Sequence, residues 1–406
     1  MADSPYRWVI VAAGGLMGCV AMGALFALPV LLTPMSAITG WSRAGIGSAM
    51  TLGFLAMAVA SMVWGALSDR FGARPVVAVG GAMLAASLYA SSLASNLLMF
   101  QLIFGIFAGI SIAAFFAPMM ANVMGWFSTQ RSLAVSLVSA GMGMAPLTMT
   151  PLVAELSQTM DWRAVLKILA VIVAVVTLPT AMLLRRPPAQ AALSGRAALD
   201  APPASMTVRQ AVTSAPFLII VATNFFCCAT HSGPIFNTVS YAQLCGIGAL
   251  AAASIYSVEG FAGMFGRIGF GVMGDRFGAK RVLVIGLLAQ AFGVLGYFFA
   301  RDLWVFYGVA VVVGFIYAGI MPLYSVLIRE NFPMQIMGTI MGGAGMAGSL
   351  GMATGPLFGG WIFDTTGGYG WLYIASFGMG LGAFLIGATF RPFPKPHSAM
   401  ALAQPA

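Results

Sequence analysis

Apolar runs of about 20 residues recur from Trp8 to Phe390, separated by short stretches that hold most of the charge. At about 1.5 Å per residue, each run crosses roughly 30 Å of hydrocarbon. Lipid cannot satisfy backbone N–H and C=O groups, so each run must satisfy its own. The lack of apolar–polar alternation predicts helices rather than barrel strands. About twelve helices follow, over residues 8–32, 44–66, 75–94, 97–121, 132–154 and 164–184, then 216–241, 247–273, 282–299, 303–328, 334–363 and 371–390. The chain reads as an all-α integral membrane protein.

Composition agrees, since 60% of the 406 residues are hydrophobic and 7% are charged, against about a quarter charged in a soluble domain. A net charge of +9 raises the question of nucleic acid, and the position of the cations answers it. Arg7, Arg70, Arg74, Arg131, Arg185, Arg186, Arg196, Arg209, Arg276, Lys280, Arg281, Arg329, Arg391 and Lys395 fall on one side of the twelve-helix arrangement, and Arg43, Arg163, Lys167 and Arg301 on the other. Such a bias places both termini in the cytoplasm and the chain in the cell (inner) membrane. Cys19, Cys227, Cys228 and Cys245 lack the paired spacing of a zinc site and read as small core residues. The first apolar run extends beyond a signal-peptide core and predicts no cleavable leader.

The longest break lies between Arg185 and Ser214, a basic, Pro- and Ala-rich stretch of linker character. The two flanks repeat each other. GALSDRFGARPVV at 65–77 returns as GVMGDRFGAKRVL at 271–283, and FGIFAGISIAAFFAP ending at Pro118 is echoed by VGFIYAGIMP ending at Pro322. The expected organisation is a six-helix bundle over 1–184, a cytoplasmic linker over 185–214, and a second six-helix bundle over 215–406 that ends in a short tail. Two such bundles facing each other across a pseudo-two-fold axis leave a central cavity, where transporters keep their substrate site.

Gly65, Asp69, Arg70, Gly72 and Arg74, repeated as Gly271, Asp275, Arg276, Gly278 and Lys280, resemble the loop signature of the major facilitator superfamily of secondary transporters. GWSRAGIGSAMTL at 40–52, WFSTQRSLAVSLVSAGMGM at 126–144 and Arg267 resemble its monocarboxylate transporter and oxalate/formate antiporter branch. The resemblance implies twelve helices in two pseudo-symmetric bundles and alternating access. It also implies a latch, with Asp69, Arg70, Arg74, Asp275, Arg276 and Lys280 holding the cytoplasmic ends together while the protein faces outward. The first-helix lysine of some animal members has no counterpart between Trp8 and Leu32. The eleventh-helix lysine of oxalate exchangers is also missing, and the two missing cations tell against a doubly charged cargo. Gly263 stands where animal relatives carry an aspartate, which tells against proton coupling through the family's familiar residue.

The residues carry their own chemistry. In the loops, glycines permit a tight turn in which Asp69 and its neighbouring arginines can pair; a turn that only fixes topology is the alternative. Arg267 stands eight residues before Asp275, about 12 Å inside the helix end and deeper than an arginine snorkels. A guanidinium there costs at least ~2.5 kcal/mol and must face protein or water. It is a candidate anchor for a carboxylate, which it can take through both oxygens. The alternative is a structural arginine bonded to helix carbonyls or to Glu259. Glu259 lies ~12 Å along and ~80° around the same helix from Arg267, so no direct pair is expected. In low dielectric it is a candidate proton carrier, or else a permanently neutral hydrogen-bonded group.

Asn224, Tyr317, Tyr324, Phe115, Phe116 and Gln101 are candidate cavity residues. Tyr317 leads them because a phenol can donate to a carboxylate, while helix-packing glue is the alternative for each. His231 is expected near the outer end of the seventh helix, at the interface. GMGMAP at 141–146 and GGAGMAGSLGMATGP at 342–356 mark the fifth and eleventh helices as moving parts. The 28 methionines read as filler without a coordinating cluster, so no metal is expected.

No G-x-x-x-x-G-K-S/T loop supplies ATP hydrolysis, and no catalytic set sits at membrane depth, so neither an enzyme nor a cofactor is expected. The expectation is a monomeric secondary transporter of a small carboxylate, a proton-coupled symporter of a lactate- or pyruvate-like monocarboxylate, with partners limited to substrate, protons and lipid. The alternatives are an organic-anion exchanger of oxalate/formate type and a transporter-like sensor that binds without translocating.

Overall fold

The computed structural model describes residues 5–127, 130–187 and 206–392. Among these, twelve long helical units follow in order: α1 Tyr6–Thr39, α2 Arg43–Phe71, α3 Ala73–Ser92, α4 Leu97–Trp126, α5 Arg131–Thr159 and α6 Trp162–Met182, then α7 Ala215–Leu244, α8 Ala249–Phe277, α9 Ala279–Phe299, α10 Leu303–Asn331, α11 Met337–Thr366 and α12 Gly370–Ala388. Eleven contain spans long and apolar enough to cross a membrane. The exception, α8, is 29 residues long, and its hydropathy is diluted by Glu259, Arg267 and the charges at its end. Most of the expected linker and the tail beyond residue 392 lie outside the described residues. The linker's far end holds a short helix, Val208–Val212, started by a capping box between Thr207 and Gln210.

Several helices run past their apolar stretches, because polar end turns remain helical when capped. Ser42 and Ser214 accept from Gly45 N and Phe217 N at the starts of α2 and α7, and Gly40 closes α1 at φ 72°. Two units are interrupted. In α4 the segment Gln101–Phe107 widens into a π-helix, fastened by Gln101 Nε2 donating to Gly45 O and Ser48 Oγ, both at 2.8 Å. In α5 the helix breaks at Met144, between Gly143 and Ala145, where Pro146 cannot donate the bond that would carry the helix through.

The halves are built alike. In the first, α1 packs on α5, α2 on α4 and α3 on α6; in the second, α7 packs on α11, α8 on α10 and α9 on α12. The turns from α2 to α3 and from α8 to α9 both pass through a glycine, Gly72 at φ 87° and Gly278 at φ 89°, a conformation that side chains strain. The bundles meet along α2 against α11 and α5 against α8. Between α2 and α11 the contact is backbone to backbone, since a Cβ at Gly65 would run into the Gly338 carbonyl and one at Gly342 into the Ser61 carbonyl. With no hydrophobic force between helices in lipid, close approach of small residues supplies the packing.

Candidate functional site

Between the bundles lies a chamber of about 170 Å³. Its first-half wall comprises Gly18, Ala21 and Met22 on α1, Phe54, Met57 and Ser61 on α2, Ile112, Ala113, Phe115 and Phe116 on α4, and Met142 on α5. Its second-half wall comprises Asn224 and Cys228 on α7, Met321 on α10, and Gly345, Gly348, Ser349 and Met352 on α11. Among the described residues the lining carries no charge. Ser61 Oγ donates to Met57 O at 2.6 Å and Asn224 Nδ2 to Ala344 O at 2.8 Å, so part of its polarity is committed to helix backbone.

Arg267 lies beside this chamber rather than in its wall. It crosses from α8 to α5, where its Nε donates to Ser139 Oγ at 3.0 Å. Its guanidinium covers Gly143 at the break in α5, so closely that a Cβ there would land on it. Gly143 adjoins Met142 of the chamber wall. Among the described residues that one hydrogen bond to Ser139 is the side chain's only one, leaving the Nη atoms as donors. Arg267 is thus neither turned to lipid headgroups nor tied up by helix carbonyls.

Glu259 does not pair with Arg267. Its Oε1 lies 3.3 Å from His231 Nε2 on α7, and its Oε2 accepts from Tyr297 OH on α9 at 3.4 Å. Both members are shut away, His231 at 1% and Glu259 at 7% exposure, and among the described residues His231 Nδ1 has no partner. The imidazole stacks on the Tyr317 ring, centroids 3.6 Å apart at 13°. Tyr317 OH in turn approaches Cys228 Sγ at 3.9 Å and Met352 Sδ at 3.7 Å, both chamber residues. A continuous series therefore runs from chamber through Tyr317 and His231 to Glu259. The expected interfacial histidine is corrected here: α7 continues to Leu244, which leaves His231 roughly 20 Å from the helix end at 1.5 Å per residue.

The loop aspartates take partners other than the expected arginines. Asp69 Oδ1 accepts from Gly338 N at 2.6 Å, and its Oδ2 accepts from Thr339 N and Thr339 Oγ1, each at 2.7 Å. A carboxylate at the end of α2 thus caps the start of α11 in the other bundle. Asp275, at the end of α8, accepts from Ser132 N at 3.1 Å and Leu133 N at 3.2 Å at the start of α5. Free amides at a helix N-terminus attract a carboxylate, and the fold uses this twice, in trans. Arg70 and Arg276 sit over the rings of Phe71 and Phe277, each at 5.3 Å. Arg74 lines a surface cleft with Arg185 and Arg186.

At the chamber's other end, Phe26 of α1 meets Tyr256 of α8 with centroids 6.4 Å apart, and Phe54 of α2 meets Phe236 of α7 at 6.2 Å. Of the sequence candidates, Asn224, Phe115 and Phe116 line the chamber and Tyr317 borders it. Tyr324 is not brought there: it lines a separate narrow crevice with Thr223 and Lys280. Gln101 serves the α4–α2 contact described above. Ser139 lies within the stretch 126–144 that resembles the family, but no charge singles it out there as a partner of Arg267, and the chamber's methionines read in the sequence only as filler.

The sequence model of the Major Facilitator Superfamily matches residues 14–272 and 268–406. Monocarboxylate transporter 13 of Rattus norvegicus is 27% identical over 403 residues, 97% of this chain and 90% of that protein. Among solved structures, the proton:xylose symporter XylE superposes with a TM-score of 0.72 at 17% identity, covering 96% of this chain and 97% of that one. The transporter FucP in its outward conformation gives 0.73 at 14%, covering 95% and 99%.

Proposed function

Because this chain belongs to the Major Facilitator Superfamily and is a multi-pass membrane transporter, we propose that it carries a small monocarboxylate together with a proton by alternating access. The observation that carries the reading is Arg267, a guanidinium at membrane depth whose terminal nitrogens lack partners among the described residues, beside a chamber between the bundles. A planar fork of donors in a low-dielectric site suits a carboxylate, and Ser139 holds it in place. The similarity to a protein named as a monocarboxylate transporter supports the same cargo.

The His231–Glu259 pair favours proton coupling over anion exchange. A buried imidazole and carboxyl 3.3 Å apart can share one proton, and the stacked Tyr317 connects the pair to the chamber. In the proposed cycle the anion binds at Arg267 and a proton joins the Glu259–His231 pair. The Asp69 and Asp275 caps then release α11 and α5, and the bundles rock as two units, 1–184 and 215–406, about the loaded site. The face bearing Gly72 and Gly278 is assigned to the cytoplasm, with both termini there and the chain in the inner cell membrane. One protomer contains every group in this cycle.

Purified protein in vesicles tests this. Exchange of a labelled monocarboxylate that is blocked by other monocarboxylates, but not by their amides, is the expected result. Equal inhibition by the amides removes the anchor from the account.

A further inference from the structure

The chamber and Arg267 are adjacent but chemically unlike, and the difference constrains the cargo. Five thioethers, those of Met22, Met57, Met142, Met321 and Met352, enter the lining, with the thiol of Cys228 beside them. The rings of Phe54, Phe115 and Phe116 supply much of the rest. Among the described residues no charge faces this space, so a carboxylate placed within it would lose its hydration without a counter-ion. The charged end of any anionic cargo must therefore remain at Arg267 and Ser139, beyond Met142, and only an apolar body can enter.

The size of that body follows from the volume. An engineered apolar cavity of about 150 Å³ in another protein accepts one benzene, and this chamber measures about 170 Å³. A methyl group, all that a two- or three-carbon acid offers, would leave most of it unfilled. Sulfur also favours an aromatic occupant, because thioethers make attractive contacts with ring edges and flexible methionines adapt to ring shape. Phe116, 38% exposed, presents further π-surface.

We propose that the cargo is a monocarboxylate bearing a single phenyl-sized ring, with its carboxylate on Arg267 and its ring in the methionine- and phenylalanine-lined chamber. This rests on the anchor role of Arg267 and adds a selectivity that the anchor alone does not supply. A pocket gains roughly 10–200-fold for one well-buried methylene, so a ring in place of a methyl should lower the half-inhibiting concentration at least about 30-fold.

The experiment uses the full chain in vesicles, with counterflow of labelled 3-phenylpropionate and, separately, of labelled lactate. Competitors are acetate, lactate, phenylacetate, 3-phenylpropionate and 3-phenylpropionamide. The expected result is inhibition by both phenyl acids at least about 30-fold below lactate and acetate, with the amide inactive. Gly345→Val is the second arm. A Cβ there meets Ser61 at 3.5 Å and Phe116 at 3.9 Å, ordinary contact distances, so the added methyls narrow the chamber without displacing backbone. This variant should lose the preference for phenyl acids.

Lactate or acetate competing as well as the phenyl acids overturns the ring proposal while leaving a monocarboxylate carrier. Inhibition by the amide equal to that by the acid, or no exchange of either labelled acid, overturns the anchor reading with it. The wild-type series decides the matter even if Gly345→Val fails to fold.

Discussion

Removal of Asp69 should open the face that bears the two glycine turns. Its half-buried carboxylate accepts three hydrogen bonds of 2.6–2.7 Å from the first turn of α11, whereas Asp275 accepts two of 3.1–3.2 Å from α5. Bonds to a charged group contribute about 1.5–3 kcal/mol each, and three on one carboxylate are not additive. About 3 kcal/mol in total is a moderate value, equivalent to a population shift of about 150-fold. Asp69→Ala should therefore convert a closed face into one largely open, and Asp69→Asn should do nearly as much, since its amide would place N–H groups against N–H groups. The longer bonds of Asp275 predict a smaller shift for Asp275→Ala. Spin labels at positions 71 and 277, exposed at the ends of α2 and α8, report the separation by pulsed dipolar spectroscopy in a background freed of native cysteines. Unchanged distances in Asp69→Ala, or a larger shift in Asp275→Ala, would show that the Asp69 cap does not hold this face closed.

Gly143→Ala should abolish exchange while leaving insertion intact, because the new methyl occupies the space of the Arg267 guanidinium; wild-type rates would show that the guanidinium is free to sit elsewhere. Gly65→Ala should spread the same label pair, since its Cβ meets the Gly338 carbonyl. Wild-type uptake should rise as the outside is acidified, and Glu259→Gln and His231→Gln should flatten that dependence while sparing counterflow. A pH profile unchanged in both variants would remove the pair from coupling. A carboxylate at 100 times its Kd should stabilise the folded protein by about 2.7 kcal/mol, read as a raised Tm that its amide does not produce.

Much of this molecule was legible in the sequence for one physical reason: lipid makes hydropathy an almost sufficient guide to helix number. It marks the ends of helices poorly, because capped polar turns continue α1 to Thr39 and α7 to Leu244. Arg267 stands out because a cation in an apolar run is costly wherever it points, whereas Ser139, one of several small polar residues in the stretch 126–144, carries no such cost. Asp69 and Asp275 were visible as a repeated motif, but their partners are backbone amides, which every residue but proline possesses. His231 and Glu259 meet only through the relative rotation of α7 and α8, which periodicity along one helix does not encode. Tyr324 shares a helix face with Tyr317 seven residues away, but that separation moves it roughly 10 Å along the axis, from the chamber's border to another crevice.

In the proposed cycle everything depends on the Arg267 guanidinium receiving the anion. The most direct test is counterflow of labelled lactate and labelled 3-phenylpropionate by Arg267→Gln in vesicles, with thermal unfolding recorded on the same preparation. Exchange no faster than in empty vesicles is expected for either acid, together with a melting temperature close to wild type. Exchange of either acid at the wild-type rate would contradict that role for Arg267.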